Sequence, residues 1–324
     1  MNATIFMALA AGLTSALMFA SVISGALFSL LLCYLAPLPL LVAGLGWGAL
    51  CAAIGGLLAS VALAAIFGIP YGLAFALMVA LPAWWLGHLV LLGRPVAHDA
   101  PSAGADVSDE PELEWYPVGR ILLWTAGFAG LGALGALLTL GLDAATITGV
   151  LHRGLQRFFT AQGLAANEDV ERIIDMIVTL APAAIVSITL TTLTLNLWLA
   201  AKITETSGRL RRPWPDLRNT TLPPMTLAAL CVAIAFCFTG GMFAIIAVIA
   251  VAALMLAYAF VGFAVLHILT LRLRSRPFWL STTYSIVVVF SWPILAFVAL
   301  GIADTLFDIR RRARRTKPPP LPAA

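Results

Sequence analysis

Charge is the scarcest ingredient of this chain: only 10% of its 324 residues are Asp, Glu, Lys or Arg, whereas ordinary soluble domains carry about a quarter. With 61% hydrophobic residues and a mean hydropathy of +1.00, its apolar surface exceeds what one water-facing domain can bury. This excludes a soluble globule and implies an integral membrane protein. Lysine is nearly missing, since Lys202 and Lys317 are the only two. No Walker GxxxxGK[ST] loop, HExxH zinc motif or GxSxG elbow occurs. If ATP is used, another chain must hydrolyse it. The cysteines Cys33, Cys51, Cys231 and Cys237 lie in apolar segments without CxxC or Cys/His spacing, so they read as small core residues. No metal or cofactor is expected. Charge deep in the apolar segments is almost absent too, which disfavours an ion-coupled pump, because such carriers hold a coupling charge inside the membrane.

One motif argues superficially against this class. Residues 130–135 read GLGALG, a formal match to the dinucleotide fingerprint GxGxxG. That fingerprint needs a preceding strand, a following helix and an acidic residue about twenty positions on. Here the glycines sit inside an apolar run, and the next acid, Asp143, is too near. Helix packing through small residues is the better reading.

Apolar segments run over residues 5–36, 39–67, 71–92, 118–142, 176–201, 224–239, 242–271 and 278–303. They predict an all-α polytopic transmembrane bundle of about eight spanning helices, over residues 1–308. The first run exceeds what a core of about 30 Å needs, so it should tilt, break or protrude. It has no Lys or Arg before it and is too long for a signal peptide core, which suggests a retained first helix. Gly240 and Gly241 are the expected turn between the sixth and seventh segments. Residues 93–117, rich in Pro, Ala, Ser and acid, read as a disordered acidic loop. Residues 144–160 place Ile147, Val150, Leu151, Leu155 and Phe158 on one helical face, with His152, Arg153, Gln156 and Arg157 opposite. Such an amphipathic helix is expected to lie in the headgroup plane. Residues 202–223 form a basic connector with Trp214 as an interface anchor, and residues 309–324 a basic, Pro-rich tail that should not pack.

These cation clusters suit anionic lipid headgroups better than nucleic acid, and no nucleic-acid partner is expected. They do not fix orientation. With eight crossings the Lys and Arg count is nine on one side and ten on the other, leaving a lean to both termini inside from the dense tail. A break at Pro293 would change that count.

Several residues stand out as candidates for binding. In SITLTTLTLNLW, residues 187–198, Ser187, Thr191 and Thr194 share one helical face, and Thr189, Thr192 and Asn196 the other. Thr hydroxyls can return a bond to the backbone one turn back, whereas the Asn196 amide needs partners elsewhere. Asn196 and Thr192 are therefore substrate-binding candidates. Trp84 and Trp85, beside His88, read as interface anchors or as a stacking surface for a planar ligand. Trp84, Trp85 and His267, which lies near a helix end, join the substrate-binding candidates; His267 and the terminal aspartates are the only conceivable acids or bases, so catalysis is not expected. Asp308 and Arg312 are four apart and can pair. In the first helix Ala8, Gly12, Ala16, Ala20 and Ser24 make a smooth stripe. It serves either packing within the chain or docking of a membrane subunit, with Gly12, Ala16 and Ala20 as docking candidates.

Three stretches, PLPLLVAGLGWGA from Pro37, GFAVLH at residues 262–267 and GIADTLFDIRRR at residues 301–312, resemble the YybS-like family of bacterial multi-pass membrane proteins (domain of unknown function 2232). That family in turn is similar in fold to the substrate-binding S-components of energy-coupling-factor vitamin transporters. The resemblance implies a bacterial inner-membrane protein and an S-component-like bundle that works with a membrane coupling subunit and ATPases. Its first-helix stripe would match an S-component docking face. The expected function is small-solute binding without an ATPase of its own; the alternative is a membrane scaffold or assembly factor recruiting proteins or anionic lipid.

Overall fold

A computed structural model describes residues 2–95, 113–164 and 167–315. Among these, every regular element except one short strand pair is helical, so the chain is all-α as expected. It divides into two compact units, residues 1–125 with 191–215, and residues 126–190 with 216–324.

The first unit opens with α1 (Asn2–Ala20), α2 (Leu27–Tyr34), α3 (Pro37–Trp47), α4 (Ala49–Phe67), α5 (Ile69–Phe75) and α6 (Leu81–Val90). The two runs expected over residues 5–36 and 39–67 become three spans, Ala3–Ser24, Phe28–Trp47 and Ala49–Phe67. The decisive residue is Gly48, which closes α3 and opens α4 at φ +105°, a conformation that a Cβ makes costly. Across this one-residue turn the helices fold back. A Cβ on Gly44 would touch Ala52, and one on Gly55 would touch Leu40, so positions descend along α3 as they ascend along α4. Gly68, at φ +97°, makes a second reversal, with Gly72 against Ala64 and Gly56 against Ala80. In contrast, α1 runs parallel to α4: the Cys51 thiol donates to the Thr4 carbonyl at 3.5 Å, and Gly55 lies against the Ala8 carbonyl. Four alternating crossings thus precede residue 91, where the apolar runs predict three.

Helices α7 (Val118–Leu138) and α9 (Glu168–Thr206) each have one end in each unit. The second unit adds α8 (Ala144–Ala161), α10 (Met225–Phe236), α11 (Gly241–Leu269), α12 (Arg276–Phe290), α13 (Ile294–Phe307) and α14 (Ile309–Arg315). Gly240 and Gly241 take φ of +78° and +62° at the expected turn before α11. The last expected segment breaks at Pro293, which has no N–H to continue a helix, after Ser291 at φ +56°. Among the described residues, seven helices are long and apolar enough to cross a membrane, while Met225–Phe236 and Ile294–Phe307 are shorter. These seven candidate spans and two shorter apolar helices stand where about eight spanning helices are expected. At about 1.5 Å per residue, 12 or 14 residues fall short of a hydrocarbon core of about 30 Å. Helix α13 returns along α11, because Gly262 faces Phe297 while Gly301 faces Tyr258, a reversed order. A Cβ on either glycine would overlap the opposing backbone carbonyl. Lipid-facing positions stay apolar, as shown by Phe6, Leu13 and Leu17 on the outside of α1.

Other expectations change locally. The ends of the acidic loop are ordered, since Gly93–Pro95 pairs antiparallel with Leu113–Trp115 and Arg94 bonds Glu114 at 2.7 Å; residues 96–112 lie outside the described set. Helix α8 forms, capped by Asp143, which accepts bonds from the Thr146 amide at 2.9 Å and hydroxyl at 2.6 Å. These two bonds, the hydroxyl's first, hold the Asp143 carboxyl below its ordinary range. The faces of α8 differ from a simple apolar and polar split. Phe158 is exposed, whereas His152 and Gln156 are half-buried because they reach acids on α9. His152 Nε2 lies 3.3 Å from Glu171 and from Asp175, and the Gln156 amide donates to Glu171 at 2.9 Å. The tail packs at its start, through Arg310 of α14; residues 316–324 lie outside the described set.

Candidate functional site

Asn196 sits on the buried face of α9, with no exposed surface. Its position is set by a defect in a neighbouring helix. Pro37 cannot donate, so the junction between α2 and α3 turns tightly, with Leu38 N–H bonding the Leu35 carbonyl rather than that of Tyr34. The Asn196 amide donates to the Tyr34 carbonyl at 2.9 Å and to the Thr192 carbonyl at 2.8 Å. Ser15 of α1 donates to the Ala36 carbonyl at 2.6 Å. Both donors of the amide are therefore spent on backbone, and only its Oδ1 is buried without a bond. The expected one-turn return of hydroxyls is seen at Ser187, which bonds Ala183 at 2.7 Å, and at Thr189, which bonds Ile185 at 2.8 Å.

The remaining candidates do not gather around Asn196. Trp84 and Trp85 on α6 contact each other edge-on at 5.6 Å, and Trp85 meets Trp124 at 5.3 Å, so the pair belongs to an aromatic cluster at a helix end. The Trp85 indole N–H is buried and unbonded. His267 belongs to the second unit. Its Nδ1 lies 3.4 Å from the Arg276 guanidinium, which can only donate, so Nε2 carries the proton and donates to the Tyr284 hydroxyl at 2.8 Å. The docking stripe needs correction as well. Gly12 lies against Gly55 of α4, and Ala8 and Ala16 are buried, at 0% and 7% exposure. The chain's own fourth helix occupies the face that includes Ala8 and Gly12, because two helices with small residues at the crossing approach until backbones touch. Ala20, at the end of α1, is half-buried.

Two arginines that sequence reasoning treated only as members of clusters turn out to be buried. Arg310 donates to Asp304 Oδ2 from Nε at 2.8 Å, and its backbone N–H bonds Oδ1 at 3.0 Å. Its Nη2 lies 2.6 Å from the same Oδ2, and its Nη1 donates to the carbonyls of Arg218 at 2.7 Å and Thr220 at 2.9 Å. This tie, rather than an Asp308 to Arg312 pair, closes the end of α13. Asp308 supplies the left-handed turn, at φ +51°, that brings Arg310 back onto Asp304.

Arg212, in the connector of the first unit, is held differently. One N–H reaches the Val90 carbonyl at 3.2 Å, and the guanidinium lies 5.9 Å from the centre of the Trp115 ring. Burial pushes its pKa down. No carboxylate among the described residues pairs with it. Its neighbours in the connector are stacked in the same way, Arg209 at 4.5 Å over Trp47 and Lys202 at 4.6 Å over Trp214. The connector is thus folded against the ends of α3, α6 and the strand pair. The sequence signal was Trp214 two residues after Arg212 in RRPWP, which marks an interface without revealing which ring serves which cation.

The seven long apolar helices and the helical architecture define a polytopic helical membrane protein. Residues 152–305 match the family described as "Predicted membrane protein (DUF2232)", so a little under half of the chain is similar to this family. No curated protein and no solved structure matches the chain. Gly262, Gly301 and Asp304 fall within the matched segment, so two of the short stretches that carry the resemblance hold the tightest helix contact and the buried acid of the second unit.

Proposed function

We propose that the protein is a membrane-embedded scaffold, without chemistry of its own, that engages partners through the cationic surface formed by its connector. The carrying observation is the order of that surface: Arg209 and Arg212 are each positioned by an aromatic ring instead of trailing in a loose linker, and Lys202, in the last turns of α9, pairs with Glu205 and lies over Trp214. Such an arrangement holds charge at a membrane boundary at low entropic cost. A bacterial inner membrane is the location proposed with it, which the family resemblance supports. Tagged purification in mild detergent followed by mass spectrometry tests the reading. Soluble envelope or assembly proteins that are retained by the wild type, and lost when Arg209 and Arg211 become Gln, support it. Recovery of a membrane coupling subunit with ATPases overturns it.

The second reading is S-component-like solute binding, and Asn196 favours it through one buried oxygen that makes no bond. A solute held there would stabilise the fold by RT ln(1 + [L]/Kd), a shift that a scaffold would not show. The spent amide donors and the internal use of Gly12 weigh against it.

A further inference from the structure

A guanidinium taken out of water is costly unless an anion or a full set of acceptors replaces its hydration. Arg212 is 7% exposed and has one backbone acceptor and one ring, with no carboxylate among the described residues. It lies at the end of the unit where α3 and α6 finish, beside Trp115, while Trp47 and Trp214 lie under its connector neighbours Arg209 and Lys202. All six Lys and Arg residues of the first unit, Arg94, Arg120, Lys202, Arg209, Arg211 and Arg212, belong to segments that meet at this end. The opposite turns, around Gly25 and Gly68, carry no charged residue. An asymmetry of this kind marks the cytoplasmic side of a membrane, and the cytoplasmic leaflet is the one that carries anionic lipid.

We infer that Arg212 is the floor of a binding site for the phosphate of an anionic phospholipid in the cytoplasmic leaflet. The inference rests on the reading of the connector as a binding surface and names one occupant of it. The phosphate supplies the charge-assisted acceptor that the described residues do not, and the indole rings flank the headgroup and upper acyl region. The site also assigns orientation, with the start of α1 on the cytoplasmic side, because Cys51 and Thr4 tie that end to the Gly48 turn and Trp47.

The full chain, reconstituted in nanodiscs of equal phosphatidylglycerol and phosphatidylcholine and then released for native mass spectrometry, tests this. The wild type should retain phosphatidylglycerol over phosphatidylcholine by about tenfold, the size expected for one charge-assisted contact. Arg212→Gln should bring that ratio to about one. Arg94→Gln, which removes an exposed charge from the same end, should leave it unchanged. Equal retention of both lipids by the wild type, or equal losses in the two variants, overturns the site. Should Arg212→Gln not fold, thermal unfolding of the wild type decides, with dioctanoyl phosphatidylglycerol raising its midpoint and dioctanoyl phosphatidylcholine not. If instead the wild type ignores both lipids and is destabilised by neutralising Asp99, Asp106, Asp109, Glu110 and Glu112, the chain supplies its own counter-ion and the inference falls. Loss of protein partners with lipid preference intact would remove the scaffold reading alone.

Discussion

Arg212 in the first unit and Arg310 in the second are equally buried, at 7% exposure each, yet their surroundings solve the same physical problem in opposite ways. Arg310 is enclosed by a carboxylate and two carbonyls, so its charge is balanced by the chain itself. Arg212 has a ring and a single carbonyl. An internally balanced pair fixes a local structure and needs nothing from outside, whereas a buried cation left with spare donors is a place where something else binds.

The largest effect should come from breaking the balanced side. Arg310→Leu strands the buried Asp304 carboxylate and should cost about 3–5 kcal/mol, whereas Asp304→Leu with Arg310→Leu should recover most of that loss. Thermal unfolding in detergent would measure both, and a double variant as weak as the single one would show that the carbonyl ties matter more than the ion pair. Next, Gly262→Val forces side-chain atoms into the Phe297 carbonyl, and Gly12→Val does the same at Gly55. Overpacking of this kind costs about 1–3 kcal/mol or more, so expression and unfolding midpoints of the two variants compare the tightest helix crossing in each unit.

Asn196→Leu is expected to cost about 1–3 kcal/mol in the absence of any solute, because the Tyr34 carbonyl loses its partner. A fold of unchanged stability would return Asn196 to the role of ligand contact. The smallest effect concerns Asp143. Its folded carboxyl titrates below the ordinary range, so its stabilisation of α8 is present above the unfolded value and lost as pH falls through the folded one. Asp143→Asn keeps a capping oxygen and should flatten that acid dependence in hydrogen exchange of the first turn of α8, with little change at neutral pH.

Legibility in the sequence varied with the kind of interaction. The turn at Gly240 and Gly241 was readable because two adjacent glycines between apolar runs have few other uses. The break at Gly48 was not, since a single glycine inside the run of residues 39–67 looks like any small packing residue. That one position changed the count of crossings before residue 91 from three to four, which exchanges the two sides for every Lys and Arg, since none precedes Arg94. The four-residue spacing of Ala8, Gly12 and Ala16 correctly marked a close-packing face, but spacing carries no information about which helix fills it. Asn196 was identifiable as a residue needing partners, whereas the carbonyl freed by Pro37 depends on how two distant segments meet.

Composition and hydrophobic run length by themselves determined that this is an all-α, multi-pass membrane protein, because the bilayer imposes its length and polarity on each segment separately. Which charges are balanced, which glycines touch and which face remains for a partner were decided only by tertiary structure. Those outcomes depend on the distance between side chains far apart in the chain, and local sequence does not encode that distance.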